Sequence, residues 1–286
     1  MKLVPTVTGQ ENMTKKSSLN ILSNLQLSVQ ASLDGLSFCI LDTIEKNIVA
    51  LEEFYFDKQL TPLELEQKLQ ELFISNEFLQ QEFKQVSLIH KNNLATFVPK
   101  DLFKEENLID YLKFNNKIFE SDFIATDEIV PHSIISVFVP LVNINNFFFD
   151  RFGSLDYHHS STLLVKKLLH QVNSFTTKLY CHVSKNSFEL VYVKEGKLQF
   201  YNHFSFTTKE DFIYFLLFTI EQLEIDTETI DFIFLGNIGL DDEVYSLVYQ
   251  YIRNVSFGSR ETQFVYRDPE QKPKYGHDHF TLLNTF

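Results

Sequence analysis

The chain has no tryptophan, two cysteines, eight glycines and seven prolines in 286 residues, and these scarcities narrow what it can be. Cys39 and Cys181 both lie in apolar, strand-like runs. They read as small buried thiols of a reducing compartment, the cytoplasm, and exclude a disulfide framework. Eight glycines are few for a protein that wraps bare backbone around phosphates. Positive charge is also short: 25 Lys and Arg stand against 38 Asp and Glu, a formal net charge of -13. The averaged field repels nucleic acid and anionic membrane surfaces. The basic pairs Lys15-Lys16 and Lys166-Lys167 are short and lack interleaved aromatics.

No apolar run reaches spanning length; the longest, Phe212 to Phe218, is bounded by Lys209, Glu210 and Glu221. The opening stretch MKLVPTVTGQENMTKKSSLN has no apolar h-region, so it does not read as a signal peptide, and residues 1–22 are expected as a flexible tail. No Gly-x-Ser-x-Gly elbow, Walker loop or Cys pair at ligand spacing occurs.

What is abundant is phenylalanine, 30 residues, within a 44% hydrophobic and 22% charged composition. That is the make-up of an ordinary globular protein with a Phe-filled core, long enough for two domains. LQLSVQASL (Leu25 to Leu33) is expected as a strand, Asp34-Gly35 as a tight turn, and LSFCILD as the returning strand. A third strand covers Ile48 to Phe56. Thr61-Pro62 opens a helix with Leu65, Leu69, Leu72 and Phe73 on one face, and Gln85 to His90 is again a strand. The order repeats later: Leu179 to Val183 and Phe188 to Val193 flank a turn at Ser184, Lys185 and Asn186, followed by a strand to Phe206. Thr208 and Asp211 then cap a helix from Lys209 to Leu223, and DFIFLG precedes a helix from Asp241 to Arg253. Between the repeats lie a strand at Ile134 to Pro140 and helices at Val142 to Phe149, stopped by Gly153, and Ser160 to Val172. Residues 101–127 read as an insertion or extra helical layer. The helix at 209–223 is apolar almost all round and is expected to be covered on both faces, by sheets or by a partner subunit.

Three stretches, SLDGLSFCILD, LYCHVSKNSFELVYVKEGKLQFYNHFSF and DFIFLGNIG, resemble the two phosphate hairpins and the adenosine loop of actin-like ATPases, above all the bacterial cell-division and pilus-assembly branch. From about Leu25 onward the chain resembles an uncharacterised bacterial family of that fold. The resemblance implies an α/β protein of two ribonuclease-H-like domains, each a mixed sheet flanked by helices. Its parts are a tail at 1–22, a first half at 23–150 with an inserted helical segment, and a second half at 151–286 with a C-terminal extension, an internal duplication.

In the active family each phosphate hairpin carries an Asp, a Gly and a Ser or Thr that hold phosphates and organise the metal water. Matched to those positions, the first hairpin offers Asp34, Gly35 and Ser37, with the glycine one position early. The second offers Ser184, Lys185 and Ser187, with neither Asp nor Gly. The adenosine loop offers Gly236 and Gly239, separated by Asn237 and Ile238. Plain structural readings compete and are favoured: a hairpin turn at Asp34-Gly35, a solvated Lys185, and a positive-φ loop at the glycines. The resemblance therefore implies a degenerate, non-catalytic pseudo-ATPase, without cofactor, that binds a protein partner or forms a homodimer. The alternative is an ATP-binding protein, with Mg, that uses the interdomain cleft and hydrolyses weakly or not at all. On the non-catalytic reading the cleft facing Asp34 and Ser184 is expected to be narrowed or filled by Lys185, Asn186 and Ile238, whereas an open cleft belongs to the alternative.

Two histidine clusters, His158-His159 and Gly276-His277-Asp278-His279, invite a metal but lack strong ligand spacing. Asp241-Asp242 reads as a helix cap. Asp34 and Asp42, near the ends of neighbouring strands, have no carboxylate counterpart in the second half and so do not make a nuclease-type metal cluster.

Overall fold

The computed structural model describes residues 24–114, 116–119, 121–260 and 264–286; the tail expected at 1–22 lies outside them. The chain divides into two compact units, Met1–Leu163 with Gln263–Lys272 and Thr281–Phe286, and Leu164–Thr262 with Pro273–Phe280.

Unit 1 runs through β1 (Leu25–Ser32), β2 (Gly35–Asp42), β3 (Asn47–Tyr55), α1 (Pro62–Ser75), β4 (Gln85–His90), β5 (Ala95–Pro99), α2 (Leu108–Lys113), β6 (Ala125–Ile129), β7 (Ile134–Phe138), α3 (Val142–Phe152), β8 (Asp156–His159) and the start of α4 (Ser160–His170). Unit 2 follows with β9 (Lys178–Val183), β10 (Ser187–Lys194), β11 (Lys197–Ser205), α5 (Lys209–Gln222), β12 (Asp231–Gly236), α6 (Glu243–Val248) and β13 (Asn254–Phe257). The strand β14 (Val265–Tyr266) returns to unit 1, and α7 (Phe280–Leu283) closes the chain.

The main sheet of unit 1 has the order β14-β3-β2-β1-β4-β8, and the sheet of unit 2 the order β11-β10-β9-β12-β13. In both, three antiparallel strands are followed by a strand that pairs parallel to the first of them, β4 on β1 and β12 on β9. A parallel return needs a crossover, supplied by α1 in one unit and α5 in the other. Each crossover helix starts where the sequence signals it. Thr61 and Glu64 form a reciprocal capping box with Pro62 in the first turn, and Thr208 and Asp211 form another.

The period of the apolar residues decides what each helix buries. Leu65, Leu69 and Phe73 of α1 pack with Ile144 and Phe148 of α3 onto Leu27, Val29, Phe38 and Ile40 of the sheet. Phe73 meets Phe147 and Phe148 edge-on at 5.5 and 5.7 Å, which is how a tryptophan-free core uses its phenylalanines. Truncating Leu69, fully buried, to alanine is a cavity mutation of about 2–5 kcal/mol. The opposite face of the sheet carries Cys39, Leu41, Ile48 and Ile89 against Leu282 and Leu283. Both cysteines are buried and neither is in a disulfide.

Several expectations are corrected. The first turn is Leu33-Asp34, because Ser32 and Gly35 are already paired; Gly35 begins β2. It has no positive φ and is needed for close approach instead, since a Cβ there would stand 2.8 Å from the Phe54 carbonyl oxygen. The segment 101–127 begins with helical turns, Glu105–Asn107 and α2, but is not helical throughout. It ends in β6, part of a three-stranded sheet in the order β5-β7-β6. The acidic pair in Ala-Thr-Asp-Glu-Ile hides that strand, yet Asp127 is buried and bonded to His158 Nδ1 at 3.0 Å. The helix after β12 is short, Glu243–Val248, because turns take over through Tyr251 before β13 begins. Finally, the chain's own fold buries one face of α5, which leaves the partner-subunit alternative for the other. Phe212, Leu216 and Ile220 are buried, while Tyr214 and Phe218 stack on each other, 63% and 50% exposed.

Candidate functional site

The hairpin joining β1 to β2 positions Asp34, Gly35 and Ser37. Asp34 is exposed at the second turn position, and its carboxylate Oδ1 accepts the Ser32 hydroxyl at 2.5 Å. Its carbonyl accepts from Phe56 N–H at 3.0 Å, which ties the turn to the end of β3. Ser37 is not in the loop at all. It is buried mid-strand, paired with Gln30 on one side and Glu53 on the other. Asp42 stands at the far end of β2 from Asp34, about 25 Å away for a strand of that length, and accepts the Ile44 and Glu45 N–H groups at 2.9 and 3.1 Å. The two carboxylates cannot share a metal.

The hairpin joining β9 to β10 has the same frame. Ser184 N–H donates to Ser187 O at 2.8 Å, leaving Lys185 and Asn186 as the two exposed turn residues. Asn186 O accepts from Phe206 N–H at 3.1 Å, as Asp34 O does from Phe56. The equivalence fixes what stands where. The pair Gln30 and Ser37 of unit 1 corresponds to His182 and Glu189 of unit 2, both cross-strand partners.

His182 and Glu189 form a network that the sequence motifs did not point to. His182 Nδ1 lies 2.8 Å from Glu189 Oε2, and Tyr201 OH donates to Glu189 Oε1 at 2.7 Å. All of this is inside the unit, with His182 and Glu189 about 5% exposed. Burial pushes the Glu189 carboxyl up, but the hydrogen bond and charge of His182, with His203 and Tyr201, outweigh it and hold the group at about 2. The Cys181 thiol is pushed well above its usual range by burial and then by the Glu189 charge, so it is not a nucleophile. The available signal was a charged residue one step inside an otherwise apolar strand, Ser-Phe-Glu-Leu-Val-Tyr-Val.

Gly236 and Gly239 lie on the loop after β12. Gly236 has φ +79, and a Cβ would collide with Val183 O and the His182 ring; only glycine fits. Gly239 has no positive φ but packs under the Tyr275 ring. Ile238 between them is buried in the core of the unit. Gly239 N–H donates to Asp242 Oδ2 at 2.7 Å, so Asp242, at the N-cap of α6, caps the preceding loop rather than the helix amides.

The histidine clusters resolve into structural contacts. His159 is buried between Ser161 Oγ at 2.7 Å and Asn92 Oδ1 at 3.2 Å, and His158 pairs with Asp127. His90, at the end of β4, bonds Asn145 Oδ1 at 2.7 Å and accepts Leu141 N–H at 3.2 Å. Burial above all, then the neighbouring His158, drives its pKa down to about 4, so the ring is neutral. Among the described residues no group of three His, Cys, Asp or Glu could hold a metal ion, and no helix is long and apolar enough to cross a membrane.

A sequence-family model described as Protein of unknown function (DUF3822) matches residues 14–255. The chain belongs to that family. Among curated proteins none matches it. A Bacteroides thetaiotaomicron protein with an actin-like ATPase fold and unknown function is similar over 85% of this chain and 94% of its own, at 23% identity and a TM-score of 0.72. PilM, in a PilM-PilN type IV pilus biogenesis complex, is similar over 91% of this chain and 96% of its own, at 12% identity and a TM-score of 0.60. These likenesses show the fold: this DUF3822 protein is an actin-like ATPase-fold protein of the α/β class.

Proposed function

We propose that this DUF3822 protein is a non-catalytic actin-like protein, a duplicated pseudo-ATPase whose two units serve as a cytoplasmic assembly scaffold. The observation that carries the reading is the use to which the hairpins put their polar groups. The Asp34 carboxylate is engaged by Ser32, Ser37 is buried mid-strand, and the second turn presents Lys185 and Asn186 with no carboxylate and no glycine. Phosphoryl transfer needs positioned donors and a metal ligand aimed at the phosphates, and these hairpins spend those groups on their own turns. A protein partner or a second copy is in keeping with the exposed, stacked Tyr214 and Phe218, and PilM, of the same fold, is found in a complex with PilN.

Titration calorimetry of Mg·ATP into the full chain tests the reading against its rival, an ATP-binding protein without effective turnover. A flat titration at millimolar nucleotide is the expected result. Saturable binding that is lost in Asp34→Ala transfers the argument to the rival.

A further inference from the structure

The two units treat equivalent strands differently at the sheet edge. In unit 1 the third strand, β3, does not end its sheet. β14 pairs with it in parallel at Asn47 and Ile48, Arg267 N–H donates to Ile48 O at 2.9 Å, and Leu51 N–H donates to Gln271 Oε1 at 3.2 Å. The chain thus lays its own segment along that edge. In unit 2 the equivalent strand, β11, ends the sheet, and among the described residues no strand lies beyond it. A nine-residue edge strand is a template for another strand. Its guards sit at one end: Lys197 and a bulge opposite Val193 mark the start, and from Phe200 to Ser205 no proline, lysine or carboxylate occurs.

The direction of the backbone groups follows from the ladder. Phe206 N–H points to the β10 side, donating to Asn186 O at 3.1 Å, and the register is unbroken from Ser187 opposite Ser205 to Tyr192 opposite Phe200. Bonded residues alternate in an antiparallel pair. Phe204, Asn202 and Phe200 therefore turn their backbone groups towards β10, and Ser205, His203 and Tyr201 turn theirs away from it. In keeping with that alternation, His203 N–H donates to Asn202 Oδ1 at 3.0 Å.

An aromatic path joins this edge to the exposed face of α5. Phe204 stacks on Phe215 at 5.4 Å, Phe215 meets Tyr214 edge-on at 5.5 Å, and Tyr214 stacks on Phe218 at 6.1 Å. Phe188 of β10, opposite Phe204, contacts Phe212 at 4.2 Å, so α5 straddles the last two strands. At about 3.6 residues per turn, Asp211, Phe215, Phe218 and Gln222 form one stripe on the β11 side of the helix, with Tyr214 beside it. The glutamates Glu210 and Glu221 fall further round. Asp211 is the one charge in the stripe, and it is held by the Thr207 and Thr208 N–H groups at 3.1 and 3.0 Å.

We propose that β11 pairs with β11 of a second copy of this chain, antiparallel across a two-fold axis near Asn202. The two five-stranded sheets become one continuous sheet, and the two α5 helices pack side by side over the seam. The inference deepens the partner-binding side of the function proposed above and rests on it. A two-fold contact demands a self-complementary surface, and this one is. The register sets Phe200 against Phe204 and Tyr201 against His203 of the other copy, aromatic cross-strand pairs of the stabilising kind. Antiparallel helices set Tyr214 against Phe218 and Asp211 against Gln222, so no like charges meet. With strands about 4.8 Å apart, a helix above the gap between β10 and β11 lies one strand spacing from the axis. That brings the two α5 axes to about 10 Å, the ordinary distance of packed helices.

Sedimentation and light scattering of the full chain without nucleotide read the assembly. Wild type is expected to dimerise as its concentration rises. Phe218→Glu and Tyr214→Glu, at exposed positions and with folding verified by circular dichroism, are expected to weaken the dimer at least tenfold. Asn202→Cys places a thiol at the axis, in a non-hydrogen-bonded pair whose close approach suits a disulfide. Mild oxidation is expected to link it into a covalent dimer, and adding Phe218→Glu to suppress the link. Cys39 and Cys181 are buried and do not compete. A wild type that stays monomeric overturns the proposal and leaves the surface to a different protein. A dimer indifferent to both glutamates and without the Asn202→Cys cross-link also overturns it, because the copies then meet elsewhere. Nucleotide is absent throughout, so either failure leaves the Mg·ATP titration to decide the non-catalytic reading.

Discussion

Just below its turn, the first hairpin carries Gln30 opposite Ser37, and the second carries His182 opposite Glu189. One strand over, at the end of the parallel return, unit 1 has His90 where unit 2 has Gly236. The backbone frame is shared, down to the Phe56 and Phe206 amides that tie the turns. Unit 1 places its buried imidazole at the strand end and keeps the cross-strand pair below the turn, Gln30 and Ser37, uncharged. Unit 2 places its charge inside the hairpin and leaves the strand end bare, where Gly236 N–H donates to His277 O at 3.0 Å. The frame therefore tolerates opposite fillings, and it is the filling that decides whether a hairpin offers groups to a ligand or consumes them.

The largest expected effect separates the two fillings. Glu189→Ala leaves His182 and Tyr201 facing an emptied site and should cost about 3–5 kcal/mol, whereas Ser37→Ala at the equivalent position should cost about 1 kcal/mol or less. Urea unfolding with amide exchange read unit by unit measures both, and equal costs would break the comparison. Acid sharpens it. In the fold His90 stays neutral down to about 4 against a usual 6.5, so unit 1 has its full stability above 6.5 and loses it as pH falls from 6.5 towards 4. Glu189 stays ionised down to about 2 against a usual 4.5, so unit 2 is stable above 4.5 and weakens as pH falls from 4.5 towards 2. Either window amounts to about 3 kcal/mol at 1.4 kcal/mol per unit. Exchange rates across a pH series should show unit 1 loosening first, and His90→Gln should abolish the upper window alone.

Gly236→Ala should cost about 2 kcal/mol, from a positive φ and a collision with Val183 O. Gly35→Ala should cost less, because only the Phe54 carbonyl must give way. Paired melting curves decide the order. The smallest effect is expected of Asp34→Ala, an exposed turn residue with one short hydrogen bond, at about 0.5–1 kcal/mol. A much larger loss would mean that Asp34 does more than hold its turn.

The elements with strong local signals were legible before any coordinates. The capping boxes at Thr61 and Thr208 mark both crossover helices, and Gly153 stops α3 with φ +73. The repeated order of elements and the short hairpin segments sufficed for the fold. Strands with a tertiary reason for a polar residue were not legible. β6 hides behind Asp127, whose carboxylate is paired with His158, and β8 is four residues long. The same applies to the site. Asp34, Lys185 and the glycines could be marked on the sequence, but the residues that close on the glycines, His182 and Tyr275, come from distant parts of the chain, and only the Ser32 contact to Asp34 is local. The Gly276-His277-Asp278-His279 run reads locally as a metal candidate. The stacking of His277 on Phe257 follows from where residues 273–280 lie, which no local pattern records.

ATP turnover by the full wild-type chain with magnesium, measured as released phosphate beside Asp34→Ala, tests the central claim most directly. The account predicts that both proteins match the protein-free control, since neither hairpin offers a free carboxylate and a donor cradle together. Steady release by wild type that disappears in Asp34→Ala would contradict it.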